Sequence, residues 1–427
     1  VPPLRLVDRG QTTLQHHSCI MANKSDLIIV GGGLNGQVLS LALASVGLSS
    51  TVLDRAAPDI TAAAFDGRAY AIALTSVNIF RALGLWDQIA PNAEPIRDIK
   101  VSEGRVGRGA APFTLHFDHA ELEEGPMGQM IEDRHLRSIL MEAIASSDLI
   151  TWHSSTDVVG QSVNGTTVDV TTAQGDAFSA SVLIGCDGRG SRVAARAGIG
   201  RVAWDYRQTG LVCAIAHERP HLSTAHQFFA PSGPLAVLPL RGNRSSIVWS
   251  EERSKAEEIQ ARDEAGYLAA LRPLIGGYLG DIKLDGERFS YPLGLSLARR
   301  FIANRVALVG DAAHGIHPLA GQGLNLGFRD TAALVELLAS ARRRGQDIGA
   351  QDVLRSYEQW RRPDATALAL ATDGLNRLYG KVTPGISTMR NVGIGAINAV
   401  PALRRGFMRQ AAGLNGTLPQ MMLGRAV

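Results

Sequence analysis

A glycine-rich turn near the start of the chain has the residue types and the spacing that bind a phosphate. Gly31, Gly33 and Gly36 form G-x-G-x-x-G between an apolar run at residues 27–30 and a helical pattern at residues 34–46. Such a turn lets the backbone approach a pyrophosphate closely, and the amides at the helix start stabilise its negative charge. Asp54 ends the next apolar run 18 residues after Gly36, where its carboxylate can accept hydrogen bonds from a ribose, and Arg55 follows it. These residues predict a site for a dinucleotide, either NAD or FAD.

A second motif, far along the chain, decides between these two cofactors. Residues 306–309 form another apolar run, and Gly310-Asp311-Ala312-Ala313-His314 follows it directly. The Asp311 carboxylate can accept hydrogen bonds from ribityl hydroxyls, and free amides near the next helix start can stabilise negative charge on a reduced flavin. Two nucleotide-contacting turns more than 270 residues apart fit one long dinucleotide, so we expect FAD. The alternatives are a helix cap for Asp311 and a local hydrogen bond for His314.

The composition excludes several other classes of protein. Apolar residues make up 45% of the 427 residues and charged residues 19%, which is typical of a globular chain with a large core. The formal net charge of +3 provides no broad surface for nucleic acid. Cys19, Cys186 and Cys213 form no C-x-x-C pair, so we expect neither disulfides nor a metal site, and a reducing compartment is indicated. No apolar run reaches the roughly 18 residues that span a bilayer.

The elements that must position these motifs alternate along the chain. The first motif lies in a strand, helix, strand unit that ends with residues 51–54. Short alternating runs begin after residue 97, and residues 130–145 predict a helix. Residues 163–170 and 177–184 predict a hairpin, several strands follow between residues 211 and 250, and residues 323–340 have helical spacing. Beyond residue 351 the pattern is mostly helical, so a nucleotide-binding part is interrupted by a part rich in antiparallel strands.

Three fingerprints in this order give the chain a family resemblance. They are the glycine turn at residues 31–36, then Cys186-Asp187-Gly188 with Ser191, then residues 310–330. With them the chain resembles the aromatic-ring flavin hydroxylases related to p-hydroxybenzoate hydroxylase. Within that group it is most similar to the ubiquinone-biosynthesis hydroxylases, from about residue 26 to the C-terminus. The residues that carry this similarity are Phe65-Asp66-Gly67-Arg68-Ala69, Gly233-Pro234-Leu235-Ala236-Val237-Leu238-Pro239-Leu240, Gly310-Asp311-Ala312-Ala313-His314-Gly315-Ile316-His317-Pro318-Leu319-Ala320-Gly321-Gln322-Gly323 and Ser356-Tyr357-Glu358-Gln359-Trp360-Arg361-Arg362.

The resemblance implies an α/β fold. A Rossmann-type FAD-binding domain with three-layer architecture is expected to be interleaved with an antiparallel-sheet substrate domain, and a C-terminal helical region follows. The FAD-binding domain is expected at residues 25–96, 128–200 and 293–345, the substrate domain at residues 97–127 and 201–292, and the helical region at residues 346–427. Residues 1–24 are interpreted as a disordered or upstream extension with Met21 as the start, and a transit peptide is the alternative.

For the site, the resemblance implies bound FAD. Asp187 belongs to a motif near FAD and the path of the reductant, Arg68 reaches the cofactor, and Pro318 lies beside the isoalloxazine ring. NAD(P)H is expected as a transient reductant, because a second G-x-G-x-x-G is absent. The expected cofactor-binding residues are Gly31, Gly33, Gly36, Asp54, Arg55, Arg68, Asp187, Gly310, Asp311, Pro318, Gly321, Gly323, Leu324 and Asn325.

The middle fingerprint departs from the family pattern at one position. Ala194 stands where an arginine is usual, although Arg192 and Arg196 lie two residues to either side. This departure affects the expected binding of the reductant NAD(P)H. A protein electron donor in place of NAD(P)H is the alternative.

The reaction that the resemblance implies is hydroxylation of a lipophilic polyprenylated phenol in ubiquinone biosynthesis, with molecular oxygen captured on reduced FAD as a C4a-hydroperoxide. The cofactor carries that chemistry, and the protein excludes water and orients the ring. His217, His226, Tyr291 and His317 are candidate bases by residue type only, so no catalytic residue is assigned. The alternatives are another FAD oxidoreductase of this fold, such as a reductase or halogenase, and a silent FAD-stabilised scaffold of a lipid-biosynthesis complex; the halogenase signature W-x-W-x-I-P is absent.

A basic segment near the C-terminus indicates where in the cell the protein could act. Residues 391–414 alternate apolar residues with Arg404, Arg405 and Arg409. Such a helix can lie on an anionic membrane surface near a lipid-tailed substrate, and a docked helix with a solvated basic face is the alternative. We therefore expect a cytoplasmic protein that associates at most peripherally with a membrane or a biosynthetic complex.

Overall fold

Three β-sheets and ten α-helices make up the described part of the chain. In the computed structural model this part comprises residues 23–57, 65–105, 109–121, 123–230, 232–379 and 400–427, so Met21 and most of the expected extension lie outside it. The helices are α1 (Leu34–Ser45), α2 (Leu74–Ala82), α3 (Trp86–Ile89), α4 (Asp133–Ala145), α5 (Arg192–Arg196), α6 (Arg253–Ala261), α7 (Glu264–Ile275), α8 (Gln322–Arg343), α9 (Gln351–Tyr379) and α10 (Pro401–Ala411). The strands are β1 (Asn23–Val30), β2 (Ser50–Leu53), β3 (Ala69–Ala73), β4 (Ala93–Ile96), β5 (Asp98–Arg105), β6 (Gly109–Asp118), β7 (Gly128–Glu132), β8 (Ile150–His153), β9 (Val158–Asn164), β10 (Thr167–Thr172), β11 (Ala177–Gly185), β12 (Arg201–His217), β13 (Thr224–Ala230), β14 (Gly233–Leu240), β15 (Arg244–Glu252), β16 (Ile282–Leu284), β17 (Phe289–Ala298), β18 (Ile302–Ala303), β19 (Val306–Leu308) and β20 (His314–Gly315).

The first sheet is mainly parallel and has β1 at its centre. Its order is β18-β19-β11-β1-β2-β8, and β9 and β10 join it through antiparallel pairing to β11. Leu27, Ile28 and Ile29 of β1 are fully buried, as expected for a parallel strand that is covered on both faces. Helix α1 leads from β1 to β2 and packs against α4 and α8. This is the Rossmann-type unit that the first glycine motif predicts.

The second sheet has nine strands and is almost wholly antiparallel. Its order is β20-β17-β12-β15-β14-β13-β5-β6, with β16 also on β12, and only β5 and β13 pair in parallel. Trp249 and Leu211 from this sheet pack against Tyr267 and Leu271 of α7 in a separate core. A small sheet of order β3-β7-β4 completes the set. The predicted α/β class, with a parallel part, an antiparallel part and a helical C-terminal region, is confirmed.

Two predicted elements are wrong at their boundaries. The helix expected from residue 130 begins at Asp133, because residues 128–132 form β7 between β3 and β4. The strand expected at residues 163–170 is two strands, β9 and β10, joined by a turn at Gly165 with a φ of +59°. A short apolar run fits a buried strand and a buried helix equally well, so the partner strands decide. The expected domain boundaries stay predictions, and the one after residue 292 falls within β17.

Candidate functional site

The four strands that carry the predicted motifs end side by side at one edge of the parallel sheet. Val30 of β1 pairs with Leu53 of β2 on one side and Gly185 of β11 on the other, and Gly185 pairs with Leu308 of β19. Each strand is followed within three residues by a predicted site residue. These residues are Gly31, Asp54, Asp187 and Asp311. Because the carboxyl ends of neighbouring parallel strands share one edge, motifs more than 270 residues apart meet there.

Two positions of the first turn require glycine. Gly31 has a φ of +106°, and a Cβ atom there would overlap the carbonyl oxygen of Cys186. A Cβ atom at Gly36 would overlap the carbonyl oxygen of Gly31. The first contact presses the turn after β1 against the turn after β11, and the second lets α1 begin directly at the turn.

The space beside Gly33 is open, as a phosphate site requires. Gly33 is the N-cap of α1, with φ −65° and ψ 178°, and within the described chain no side chain caps this helix. A Cβ atom at Gly33 would have no described neighbour within 4 Å. The first-turn amides of α1 are therefore left for a ligand, and a pyrophosphate is the group that they favour.

Asp54 and Arg55 border this turn where β2 ends. The Asp54 carboxylate lies beside Gly32, since a Cβ atom there would be 2.6 Å from Asp54 Oδ2. The backbone of Asp54 is fixed by its amide, which donates to the carbonyl oxygen of His153 at 2.8 Å. Arg55 is exposed. The carboxylate thus lies where the adenosine ribose of a dinucleotide would follow its pyrophosphate.

Asn35 joins the first turn to the second, although no role for it is predicted from the sequence. Its side chain lies between Gly310 and Gly327, because a Cβ atom at Gly310 would overlap Asn35 Nδ2 and one at Gly327 would lie 2.5 Å from Asn35 Oδ1. Asn35 Oδ1 is buried and has no hydrogen-bond partner among the described residues, so it is available to a ligand. The turns at Gly33 and Asp311 are therefore close enough for one cofactor to reach both.

Asp311 is held by an arginine that was also missed from the sequence. Arg189 Nε donates to Asp311 Oδ2 at 3.1 Å, and Arg189 Nη2 donates to the carbonyl oxygen of Ile316 at 3.0 Å. Arg201 donates to the carbonyl oxygen of Asp311 at 3.2 Å. Two arginines thus fix the Asp311 turn and orient its carboxylate. The signal for Arg189 was its place between Gly188 and Gly190 of the middle fingerprint.

A buried network of charged side chains lies behind this turn. Asp330 accepts hydrogen bonds from Arg361 Nε at 2.8 Å and from the Gly310 amide at 3.1 Å, and it also bonds His314 Nε2. Arg361 reaches Asp364 at 2.7 Å. Burial opposes ionisation of Asp330, but His314 and Arg361 outweigh it and hold the pKa of that carboxyl below its ordinary value. The network positions the Gly310 backbone, and His314 belongs to this structural layer.

Helix α8 begins at the site with an uncapped N-terminus. Pro318 starts the 3₁₀ turn Leu319–Gly321, and Gly321, with a φ of +62°, is the N-cap of α8. Within the described chain no side chain caps this helix. The first-turn amides, among them those of Gly323 and Leu324, can therefore donate to a ligand that carries negative charge.

The side chain of Asn325 serves the fold. Its Oδ1 accepts from the Ala73 amide at 2.8 Å, and its Nδ2 donates to the carbonyl oxygens of Ala71 at 2.8 Å and Gly321 at 2.9 Å. These bonds tie β3 to the start of α8. Only the backbone of Asn325 is left to contribute to a cofactor site.

Arg68 and Asp187 are engaged with protein groups. Arg68 Nε lies 2.6 Å from Asp66 Oδ2, and its Nη2 lies 3.4 Å from Asp133 Oδ2. Asp187 Oδ2 accepts from the first two amides of α5 at 2.7 and 3.0 Å and so caps that helix. Asp187 Oδ1 is buried without a hydrogen-bond partner among the residues that the structure describes. Asp187 therefore offers an unused acceptor at the sheet edge, whereas Arg68 is held by the carboxylates of Asp66 and Asp133.

The arginines that flank Ala194 do not replace the missing one at the site. Arg192 Nη2 pairs with Asp157 Oδ1 at 2.7 Å, and Arg196 Nη1 donates to the carbonyl oxygen of Val158 at 3.1 Å. Ala194 itself is buried. Both cations are thus bound to β9 and the loop before it.

Two of the four candidate bases lie away from the turns. His217 bonds the carbonyl oxygen of Arg219 at 2.7 Å and Ser245 Oγ at 3.0 Å, so both of its ring nitrogens are used by the fold. His226 on β13 stacks on Phe228, and burial lowers its pKa to about 4. Neither contact links these residues to the motif edge.

The other two candidates lie beside the second motif. Burial raises the pKa of Tyr291, and the charges of Arg189 and Asp311 also act on it. His317 is fully buried, its ring centroid lies 5.4 Å from that of Tyr206, and neither ring nitrogen has a hydrogen-bond partner within the described chain. Burial, aided by Arg189, lowers the pKa of His317 to about 4, so the imidazole is neutral at pH 7.

These features fit an FAD molecule. Open space at Gly33 lies before an uncapped helix, and a second uncapped helix begins after Gly321. Two buried oxygens without described partners, on Asn35 and Asp187, lie at the same edge and can be satisfied by cofactor hydroxyls. The carboxylates of Asp54 and Asp311 lie at the turns that follow different strands of this edge. Together they can hold phosphates, a ribose and a ribityl chain of one extended dinucleotide.

Comparisons with known proteins agree with this geometry. The family model described as FAD binding domain matches residues 24–372. The chain is 40% identical to ubiquinone hydroxylase UbiL of Rhodospirillum rubrum over 94% of this chain and 93% of that protein. It is 32% identical to 3-demethoxyubiquinol 3-hydroxylase of Escherichia coli over 91% of this chain and 99% of that protein. The solved structure of p-nitrophenol 4-monooxygenase from Pseudomonas putida has the same fold, with a TM-score of 0.76 at 21% identity over 92% of this chain and 98% of that one.

Proposed function

We propose, because this chain belongs to the FAD binding domain family, that it is an FAD-dependent monooxygenase which hydroxylates the ring of a polyprenylated phenol in ubiquinone biosynthesis. Two relatives, named ubiquinone hydroxylase UbiL and 3-demethoxyubiquinol 3-hydroxylase, support this substrate class, since each aligns with more than nine-tenths of the chain. The structural observation that supports the proposal most is the register of β1, β2, β11 and β19, because the strand ends before Gly31, Asp54, Asp187 and Asp311 lie at one sheet edge.

In this proposal different residues hold different parts of FAD. The α1 amides beside Gly33 bind the pyrophosphate, Asp54 accepts from the ribose, and Asp311 accepts from the ribityl chain. The uncapped start of α8, next to Pro318, would contribute amides to the flavin ring and favour negative charge on it. Bound flavin supplies the electron transfer and the oxygen activation, which no side chain of the protein provides.

The protein's own part is to orient the phenol and to exclude water. The phenol ring is placed between the segment around Pro318 and the large sheet, where Tyr206 of β12 and Tyr291 of β17 approach the second motif. Neutral His317 can accept a hydrogen bond from the ring hydroxyl there, which raises the electron density of the ring. NAD(P)H, or a protein donor, delivers electrons transiently.

The proposal is tested with purified protein that has been loaded with FAD. Oxygen consumption with NAD(P)H should rise when a short-chain prenylated phenol is added, and mass spectrometry should find that phenol one oxygen atom heavier. The Gly33→Ala protein, which should bind FAD more weakly, is the matched control. A rate of oxygen consumption that does not change when the phenol is added would favour another flavin oxidoreductase. No oxygen consumption by the FAD-loaded protein would favour a non-catalytic scaffold.

The identity of the natural substrate needs a second experiment. A deletion strain should accumulate a quinone precursor that lacks one ring hydroxyl, and mass spectrometry of its lipid extract would identify the missing position. A normal quinone profile in that strain would contradict the proposed pathway.

Peripheral association with a membrane, or with a complex that handles the lipid substrate, also belongs to the proposal. Among the described residues, none of the helices is both long enough and apolar enough to cross a bilayer. A prenylated phenol partitions into lipid, so an enzyme that acts on it must meet a lipid surface or receive the substrate from another protein.

A further inference from the structure

The last turns of α9 expose apolar side chains on the face that points away from the protein. Leu370, Leu375 and Leu378 are 60%, 41% and 46% exposed. Every exposed residue from position 362 to position 378 is either apolar or an arginine. The opposite face of this helix is buried, with Ala369 and Thr372 in the interior. A helix that is apolar on its solvent face as well as its core face lacks a partner.

Helix α10 shows the same arrangement. Leu403 and Phe407 are 51% and 49% exposed, whereas Met408 is fully buried against Leu115 and Phe117. Six of the eleven exposed large hydrophobic side chains in the described part of the chain belong to the end of α9 or lie at α10. We call the exposed side chains Leu370, Leu375, Leu378, Leu403 and Phe407 the amphipathic patch.

The two helices of the patch border the same small cavity. A small cavity beside the start of α8 is lined by Leu368 of α9 and by Gln410 of α10, together with Gln322 of α8. Both helices of the patch therefore lie near the uncapped start of α8, which the proposed function assigns to the flavin ring. Residues 380–399, between the two helices, lie outside the described part of the chain.

The charge of this region is strongly one-sided. From residue 374 to residue 427 the chain contains seven lysines and arginines and neither aspartate nor glutamate, while the rest of the chain has a formal net charge of −4. On the patch itself, Arg377 and Arg405 lie among the exposed apolar residues, and Arg377 Nε lies 2.9 Å from Asp373 Oδ2. Arg404 and Arg409 pair with Glu121 and Glu124, which anchors α10 to the protein and leaves Leu403 and Phe407 outward.

We infer that the amphipathic patch binds the surface of an anionic lipid bilayer. Leucine and phenylalanine side chains enter the boundary between headgroups and acyl chains, and the arginines contact anionic headgroups. Each cation near such a surface strengthens binding by about fivefold. The excess of cations in residues 374–427 favours anionic lipid over a second copy of this chain, because two such faces would repel each other. The inference rests on the proposed function only in that a lipid-tailed phenol would enter the site from this surface.

The test is co-sedimentation of the full FAD-loaded protein with vesicles. Vesicles of phosphatidylcholine alone are compared with vesicles that also contain phosphatidylglycerol, at low and at high salt. Binding is expected only with the anionic lipid and should weaken with salt. Leu370→Ser with Leu378→Ser, and separately Leu403→Ser with Phe407→Ser, should each reduce partitioning by about tenfold or more. Val159→Ser, on exposed β9, is the matched control and should bind like the wild type.

Three outcomes overturn the inference. The first is no vesicle binding by the wild type, and the second is equal sedimentation of the wild type and both double variants. The third is a wild-type dimer in light scattering that the double variants dissociate, because the patch would then be covered by a second copy. Vesicle binding without phenol hydroxylation would refute the proposed function but would still support membrane binding by the patch. Hydroxylation of a water-soluble phenol without vesicle binding would support the hydroxylase function and refute membrane binding by the patch.

Discussion

Gly33→Ala should separate cofactor binding from folding. At φ −65° and ψ 178° alanine is unstrained, and its Cβ would meet no described atom within 4 Å. The unfolding free energy of the apo-protein should therefore stay the same or rise by about 0.5 kcal/mol, because alanine restricts the unfolded chain. With FAD, the same methyl group would occupy the space of the pyrophosphate and remove at least one charge-assisted hydrogen bond from an α1 amide. Such a bond is worth about 1.5–3 kcal/mol, so the Kd for FAD should rise roughly 10- to 100-fold.

The assay pairs two measurements on apo-protein, a titration of FAD followed by flavin fluorescence and an unfolding curve in urea. Gly47→Ala is the control, since Gly47 also has open space around it in the described structure but a φ of +76°. That variant should lose about 1–2 kcal/mol of stability from backbone strain and keep the wild-type Kd. A Gly33→Ala protein that binds FAD within twofold of the wild type would refute the placement of the pyrophosphate. An apo Gly33→Ala protein that unfolds would refute the argument that this position is free of protein contacts.

Three further predictions concern charged and titrating groups. Asp311→Ala should lose most of its bound FAD on purification because the ribityl acceptor is gone, and an unchanged ratio of flavin to protein in the absorption spectrum would count against that role. Arg361→Leu should cost about 3–5 kcal/mol in urea unfolding because it leaves Asp330 buried without its cation, whereas Arg362→Leu on the exposed side should change stability by less than about 0.5 kcal/mol. The pKa of His317 is lowered to about 4 in the folded protein. Below pH 6.5, roughly the ordinary pKa of histidine, the unfolded chain therefore binds a proton that the folded protein does not. The free energy of unfolding should fall as the pH drops from about 6.5 to 4. His317→Gln should remove roughly 2–4 kcal/mol of that fall. If the free energy of unfolding fell with pH by the same amount in the wild type and in this variant, the prediction would be contradicted.

The parts of the site that could be predicted from the sequence are those that depend on backbone geometry. Glycine at positions 31 and 36 is required by close backbone contacts, and such requirements leave a pattern of fixed spacing. The proximity of the turns at Gly33 and Asp311 was also predicted, because each turn follows a buried apolar run, and parallel strands bring the ends of such runs together. The family resemblance and the α/β fold are confirmed by the comparisons.

The parts that were missed depend on side chains that meet across the fold. Asn35 fills the space between Gly310 and Gly327, and Arg189 reaches Asp311 over 122 positions of sequence. The local sequence around an asparagine at a helix start, or around an arginine between two glycines, does not indicate which distant residue the side chain contacts. Helix and strand boundaries fail for a related reason, since residues 128–132 become a strand only because β3 and β4 lie beside them.

A crystal structure of the protein with bound FAD would show whether one cofactor reaches the turns at both Gly33 and Asp311. We expect one FAD molecule with its pyrophosphate at the N-terminus of α1, its ribityl chain within hydrogen-bond distance of Asp311, and its ring beside Pro318. A flavin bound at any other edge of the fold, or a pyrophosphate that stays out of reach of the Gly33 turn, would contradict it.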